Sequence, residues 1–337
     1  MSRNTIIAVA ALFVLLMTSA AVSAQADAVI EGQVLSATVG DQPIGGAIVT
    51  LLRWAGDEGL PPAEMITGED GGYSFAGLEP IDHEYQLIVV HQEITYRFGR
   101  KTFAPGETAL SIPLTVYDTT TDESVIAIDR AHVIIDGDAE HLHVQEVHIL
   151  NNTSLATYVP RNLETGEGVL RFLLPDGAAN PEWLGGFPSG SVGISEGGFH
   201  MDAPFLPGTA EVTFSYTLPF SISPDTVEKT FAYPVGHLDV FVTATGIEAS
   251  APLLVREDPI AMQAGHYHRF SADELPANTS VALELERADG GQQAATPEFS
   301  PASGPGATTV IIIVVVIVLV LLVLVYPFIR RSRRKTD

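Results

Sequence analysis

Short runs that alternate apolar and polar residues fill the chain from Val29 to Arg287. A period of two marks a strand with one face buried. AVIEGQVLSA (28–37), AIVTLLRW (47–54), YQLIVVHQ (85–92) and ALSIPLTVY (109–117) read as strands of a first unit. In MITGEDGGYSFAGL (65–78), strand-like flanks surround Asp70-Gly71-Gly72. This predicts a hairpin, because glycine accepts the positive φ of a tight turn. DTTTDESV (118–125) reads as a polar hinge, and a second series of strands follows. Its members are SVIAIDRAHVIID, HLHVQEVHIL, VLRFLLP, AEVTFSYTLPF, KTFAYPV, HLDVFVTAT and SVALELE. In the last, Val281, Leu283 and Leu285 share one face and Glu284 and Glu286 the other. No stretch between the two ends has helical periodicity. The pattern predicts an all-β chain of two tandem β-sandwich domains, Ig-like or transthyretin-like, over 27–120 and 121–287.

The ends break this pattern. A basic start (Arg3), an apolar core (IIAVAALFVLLM) and a small-residue end (TSAAVSAQA) give the layout of a cleaved signal peptide over 1–26. Residues 288–308 are rich in Gly, Pro, Ala and Ser and read as a flexible linker. A coil of that composition and length spans roughly 25 Å on average. The charge-free run 309–329 is long enough for one transmembrane helix. The tail 330–337, with RRSRRK, fits the cytoplasmic side by the positive-inside rule. The expected place is the cell membrane, with one span, the domains extracytoplasmic and a short cytoplasmic tail.

Charge narrows the partners. Arg3 and the tail account for six of the 17 Lys and Arg, and Asp337 for one of the 41 acids, which leaves 11 against 40 and a net charge near −29 for the exported part. Such a field repels nucleic acid and anionic membrane surfaces and suits a soluble exposed surface, a salty habitat or a cationic partner. The chain has no cysteine. Disulfides, thiolate metal sites and cysteine catalysis are thereby excluded, and stability must come from packed cores. DGDAE (136–140) reads as a turn and lacks the alternating acids of a calcium loop.

Histidines are the candidate chemistry. His141 and His143 lie two apart on one strand. Both rings therefore share a face, about 7 Å apart at the rise of an extended chain. His266 and His268 in GHYHRF repeat the spacing. Two such pairs meeting in space would give a four-histidine zinc or copper site. His148 has the opposite parity. The apolar phase switches between Leu142/Val144 and Val147/Ile149. That predicts a bulge or a strand crossing between sheets near Gln145-Glu146, and a one-residue bulge would return His148 to the first pair. The competing reading is a solvent-facing strand that carries histidines. Trp54 and Trp183, with Tyr158 and Phe187, are candidates for a carbohydrate-stacking platform or for ordinary core. No G-x-S-x-G, H-E-x-x-H or phosphate-binding glycine loop occurs, so no catalytic residue and no cofactor are assigned.

The first unit resembles the carboxypeptidase regulatory-like family, a transthyretin-like sandwich. The resemblance rests on Gly32 and Val34, on Pro43, Gly46, Ala47, Val49 and Leu51, on Asp70, Gly72, Tyr73, Phe75 and Leu78, and on Tyr85, Leu87 and Val89, with Gly71 as an extra residue in the turn. It implies a non-catalytic accessory module. The second series of strands is similar to uncharacterised bacterial membrane-anchored proteins that join such a unit to this module. That likeness implies layout, with an accessory role in haem or cytochrome assembly as one association. The resulting expectation is a non-catalytic, membrane-anchored extracytoplasmic protein that binds or scaffolds another envelope protein. A carbohydrate- or metal-binding module is the alternative, and a metal-dependent hydrolase the third reading.

Overall fold

A computed structural model of the chain describes residues 27–288 apart from 139, 161–167, 196, 221–224 and 263. The expected signal peptide, the linker beyond Ala288, the apolar run 309–329 and the tail lie outside the described residues. Among the described residues the regular structure is strand with short 3₁₀ turns, so the chain is all-β, and no helix is long and apolar enough to cross a membrane.

The strands are β1 (Ala28–Ser36), β2 (Gln42–Pro43), β3 (Ile48–Ala55), β4 (Glu58–Ile66), β5 (Gly72–Leu78), β6 (His83–His91), β7 (Ile94–Arg97), β8 (Ala109–Ser111) and β9 (Leu114–Val116). They form a sheet in which β1 pairs with β2, β5, β8 and β9, and a second sheet of order β4-β3-β6-β7. One core fills the space between them, built from Ile30, Val34, Val49, Leu51, Tyr73, Tyr85, Leu87 and Leu114 among others. Of the apolar positions named for the family resemblance, the ten other than Pro43 are buried here, and Pro43 is exposed.

The segment around Asp70 differs from the expected hairpin. Strand β4 pairs with β3, and β5 pairs with β1, so the turn carries the chain from one sheet to the other. The Asp70 carboxylate accepts from the Gly72 amide at 2.9 Å, and Val34 N donates to Gly71 O. Gly71 has φ +74°, and a Cβ there would lie 2.6 Å from Val34 O, which explains the extra glycine. Gly32 is constrained more tightly, since a Cβ would meet Ile112 O at 2.0 Å. Gly32→Ala must therefore push β1 away from the 111–113 segment. We expect a loss of about 1–3 kcal/mol, as for other overpacked sites, read by chemical denaturation.

Next come β10 (Thr119–Thr120), β11 (Ile126–Gly137), β12 (His141–Asn152), β13 (Thr157–Tyr158), β14 (Leu170–Leu173), β15 (Ala179–Gly185), β16 (Val192–Ser195) and β17 (Gly198–Met201). The series ends with β18 (Gly208–Pro219), β19 (Asp225–Phe231), β20 (Val235–Thr243), β21 (Ile247–Ser250), β22 (Val255–Met262), β23 (Gly265–Leu275) and β24 (Thr279–Arg287). A seven-stranded sheet of order β15-β18-β12-β11-β20-β23-β22 shares a second core with the sheets β14-β17-β16 and β19-β24-β21. Val281, Leu283 and Leu285 enter that core as the alternation predicts.

The stretch 118–125, expected as a hinge, is bonded to neighbouring strands. Strand β10 pairs with β13, the Asp118 carboxylate is bonded by His91 at 2.8 Å and Gln92 at 3.0 Å, and Thr119 N donates to Gln92 Oε1. Tyr96 Oη reaches both Tyr117 O and Thr157 Oγ1. Gln92 and Glu93 both have positive φ, which turns the β6–β7 hairpin so that its tip grips this segment.

Candidate functional site

The interior of the second core holds a charged cluster. On β12, Leu142, Val144, Glu146, His148, Leu150 and Asn152 all point inward. That strand pairs residue for residue with β18 from His141 to Asn152, so the expected bulge near Gln145-Glu146 is absent. The bulge lies in β11, between Ile128 and Arg130. What looked like a phase switch is two polar residues placed at core positions, with Val147 buried on the other face.

Glu146 is fully buried and accepts from Lys229 Nζ at 2.7 Å, Tyr216 Oη at 2.7 Å and His148 Nε2 at 2.8 Å. Lys229 also donates to Leu173 O at 2.6 Å. One ammonium thus ties β19, β12 and β14, one strand from each of the three sheets around this core. The ring of Phe214 lies 5.6 Å from that ammonium and the ring of Phe231 5.4 Å from it. Both are within cation–π range. Phe214 also meets the His148 ring edge-on. Burial works to raise the Glu146 carboxyl, but the charge of Lys229 and the bond from His148 bring it down to about 2. Burial lowers His148, outweighing the pull of Glu146. The ring is therefore neutral with its proton on Nε2, and its Nδ1 has no hydrogen-bond partner among the described residues. The cluster has the residue types of acid–base chemistry but is closed off from solvent, so it acts as a fastener.

The histidine pairs do not meet. His141 and His143 lie on the outer face of the seven-stranded sheet, where the His143 ring contacts Asp138 at 2.9 Å. His266 and His268 share parity with the buried Phe270 and lie on the inner side, at the sheet's rim. His268 contacts Arg256 and Ile247 O. Two strands, β11 and β20, stand between the pairs. Three inter-strand spacings put the two histidine-bearing strands about 14 Å apart. Among the described residues no three His, Asp or Glu side chains are arranged to hold a metal ion. Asp138 caps the turn through the Glu140 and His141 amides, which with His143 hold its carboxyl well below the usual range.

The aromatic candidates separate as well. Arg100 sits 4.0 Å over the Trp54 ring and is held there by Glu84 at 2.7 Å. Trp183 packs in the other core against Phe172, Phe199 and Phe214. A cleft of 420 Å³ beside β14, β18 and β19 is lined by Asp176, Asp225 and Glu228 with threonines, prolines and aliphatics.

One surface feature stands out. Ile66, Ile48 and Val90 occupy a single row across β4, β3 and β6, with Ile48 in register with both neighbours. They are 68%, 49% and 50% exposed, and Ile88 in the next row is half-buried. The sheet edges nearby are blunted. Strand β4 carries Pro61 and Pro62 with a register shift, and β7 has four residues. In the seven-stranded sheet both edge strands, β15 and β22, carry a proline and a register shift. Such edges resist strand addition. The parity of Ile48 and Val90 was legible in the sequence, but that no described residue covers that face was not.

No family model and no curated protein matches the chain. Among solved structures it is similar to the M1 zinc metallopeptidase from Deinococcus radiodurans. A mutant of that enzyme matches at 10% identity and a TM-score of 0.32, over 50% of this chain and 43% of that one. The mutant bound to a Tyr-Ser-Ala substrate matches at 10% and 0.32, and the enzyme itself at 11% and 0.31. The chain spans less than half the length of those structures, and a likeness of that size carries no argument about activity.

Proposed function

We propose that the chain is a non-catalytic, single-pass membrane protein. Two β-sandwiches in tandem, the first of the carboxypeptidase regulatory-like type, stand on the extracytoplasmic side and hold a cationic envelope protein. The exposed row Ile66–Ile48–Val90 is the observation that carries this reading. A contiguous apolar patch on a sheet face costs solubility and marks a contact surface. The net charge of the exported part, near −29, favours a partner of opposite charge. The pinned 118–125 segment supports a stiff presentation of both sandwiches, as a scaffold requires.

The membrane arrangement rests on the charge-free run 309–329 and the basic tail. Protease added outside cells whose inner membrane is intact should digest an N-terminal epitope and spare a C-terminal one. Protection of both epitopes would contradict the orientation.

A further inference from the structure

Three asparagines stand in the N-x-S/T pattern: Asn151 before Asn152 and Thr153, Asn152 before Thr153 and Ser154, and Asn278 before Thr279 and Ser280. That pattern is an acceptor for an N-linked glycan where it lies on the surface of an exported chain. The fold separates the three.

Asn151 and Asn152 end β12, which pairs with β11 on one side and β18 on the other. The Asn152 side chain is buried, and its amide donates to Ala156 O at 2.8 Å and to Phe205 O at 3.0 Å. Its Oδ1 accepts from Ser154 N at 3.1 Å and Ser154 Oγ at 2.8 Å. A sugar on that nitrogen would replace one of the bonded hydrogens and would need room inside a packed interior. Asn151 is half-buried, and its amide is held by the Asp129 carboxylate at 3.0 and 3.2 Å.

Asn278 differs in each respect. It is exposed in the short turn between β23 and β24. Its φ is +58°, a left-handed conformation that asparagine tolerates better than most residues with a side chain. The backbone is anchored, since Asn278 N donates to Phe231 O at 2.8 Å. The side-chain amide makes no hydrogen bond among the described residues, so replacing one of its hydrogens breaks none. Ser280, which completes the pattern, is exposed, with its hydroxyl 2.6 Å from Thr230 Oγ1. The turn lies at the opposite end of β24 from Arg287, where the chain runs on to the linker. Eight steps of extended chain put these ends roughly 26 Å apart.

We propose that Asn278 is the acceptor for one N-linked oligosaccharide and that Asn151 and Asn152 are not. This rests on the extracytoplasmic placement above, because the donor is a lipid-pyrophosphate-linked oligosaccharide on that side of the membrane. In the transfer the Asn278 Nδ2 bonds to C1 of the first sugar. The bond from C1 to the pyrophosphate oxygen breaks, and the lipid pyrophosphate leaves with the electron pair. The amide proton passes to a base of the transferase. Transfer before folding would offer all three asparagines, but a glycan at Asn278 points into solvent and leaves the second core intact, whereas one at Asn152 opens it.

The test is peptide mapping by mass spectrometry of the full-length protein isolated from its native membranes. Trypsin releases residues 270–287, which hold Asn278 alone, and 131–161, which hold the other two. The 270–287 peptide should carry the added mass of an oligosaccharide in most molecules, and the 131–161 peptide should carry none. Asn278→Gln and Ser280→Ala should each remove the added mass, and Ser280→Thr should keep it, since the pattern takes either hydroxyl. The N-terminal peptide of the same digest reads export, through loss of residues 1–26. An unmodified 270–287 peptide from a chain that has lost 1–26 overturns the acceptor and leaves the placement standing. The same peptide unmodified in a chain that retains 1–26 overturns the acceptor together with the exported placement. A glycan on 131–161, or added mass on 270–287 that survives Ser280→Ala, would overturn the assignment as well.

Discussion

Lys229→Met lowers the stability of the fold around the second core by about 3–5 kcal/mol, the usual result of leaving one partner of a buried ion pair alone. Glu146 is fully buried, so the change strands a carboxylate in a core of Phe172, Phe214 and Phe231. Leu173 O loses its donor as well. Glu146→Leu has the mirror effect, leaving the ammonium against aromatic rings and Tyr216 Oη without its acceptor. The double variant Glu146→Leu with Lys229→Met should cost clearly less than the two single losses together, because neither charge is then buried unpaired. Chemical denaturation followed by Trp183 fluorescence gives the cycle, and strict additivity would show that the two groups do not act as a pair.

The same cluster sets the response to acid. Glu146 has a folded value of about 2 against an ordinary 4.5, so its contribution is fully present above 4.5 and is lost as pH falls toward 2. His148 is lowered from 6.5, so below that pH the unfolded chain takes up a proton that the folded chain refuses. Both slopes run in one direction: the core loosens with acid.

Ile48→Glu together with Ile66→Glu should change fold stability by about 1 kcal/mol or less, because substitutions of side chains already largely in water disturb little packing. The two isoleucines are 49% and 68% exposed. The same pair should abolish capture of the partner, by at least about tenfold, since charge placed at the centre of an apolar contact is left unpaired when water is removed. Size exclusion and circular dichroism of the double variant check the fold, and crosslinking yield checks the capture. Loss of capture with an intact fold is the expected result. Unchanged capture would move the contact surface elsewhere.

Alternation made most of the strands legible. SVALELE and YQLIVVHQ form the strands expected of them, with the expected residues inward. The hairpin expected at Asp70 was misplaced because a glycine turn looks the same whether it joins neighbouring strands or crosses between sheets. Strand β4 was missed because Pro61 and Pro62 argue against a strand, and only an edge position accommodates them. The buried cluster left a signal that was read wrongly. Glu146 and His148 stand where Leu142, Val144 and Leu150 set the inward phase, and Lys229 stands in phase with Val227 and Phe231. Opposite charges at inward positions of two strands point to a buried pair, whereas a bulge was the simpler explanation of one strand alone.

The most direct test of the central claim is site-specific photo-crosslinking in intact membranes, with the photoreactive residue placed in turn at Ile48, Val90 and, on the opposite sandwich, Glu286. The proposal predicts one basic envelope protein crosslinked from Ile48 and from Val90 and not from Glu286, with the product lost in the Ile66→Glu background. A product of equal yield from all three positions, or none from Ile48 and Val90, would contradict it.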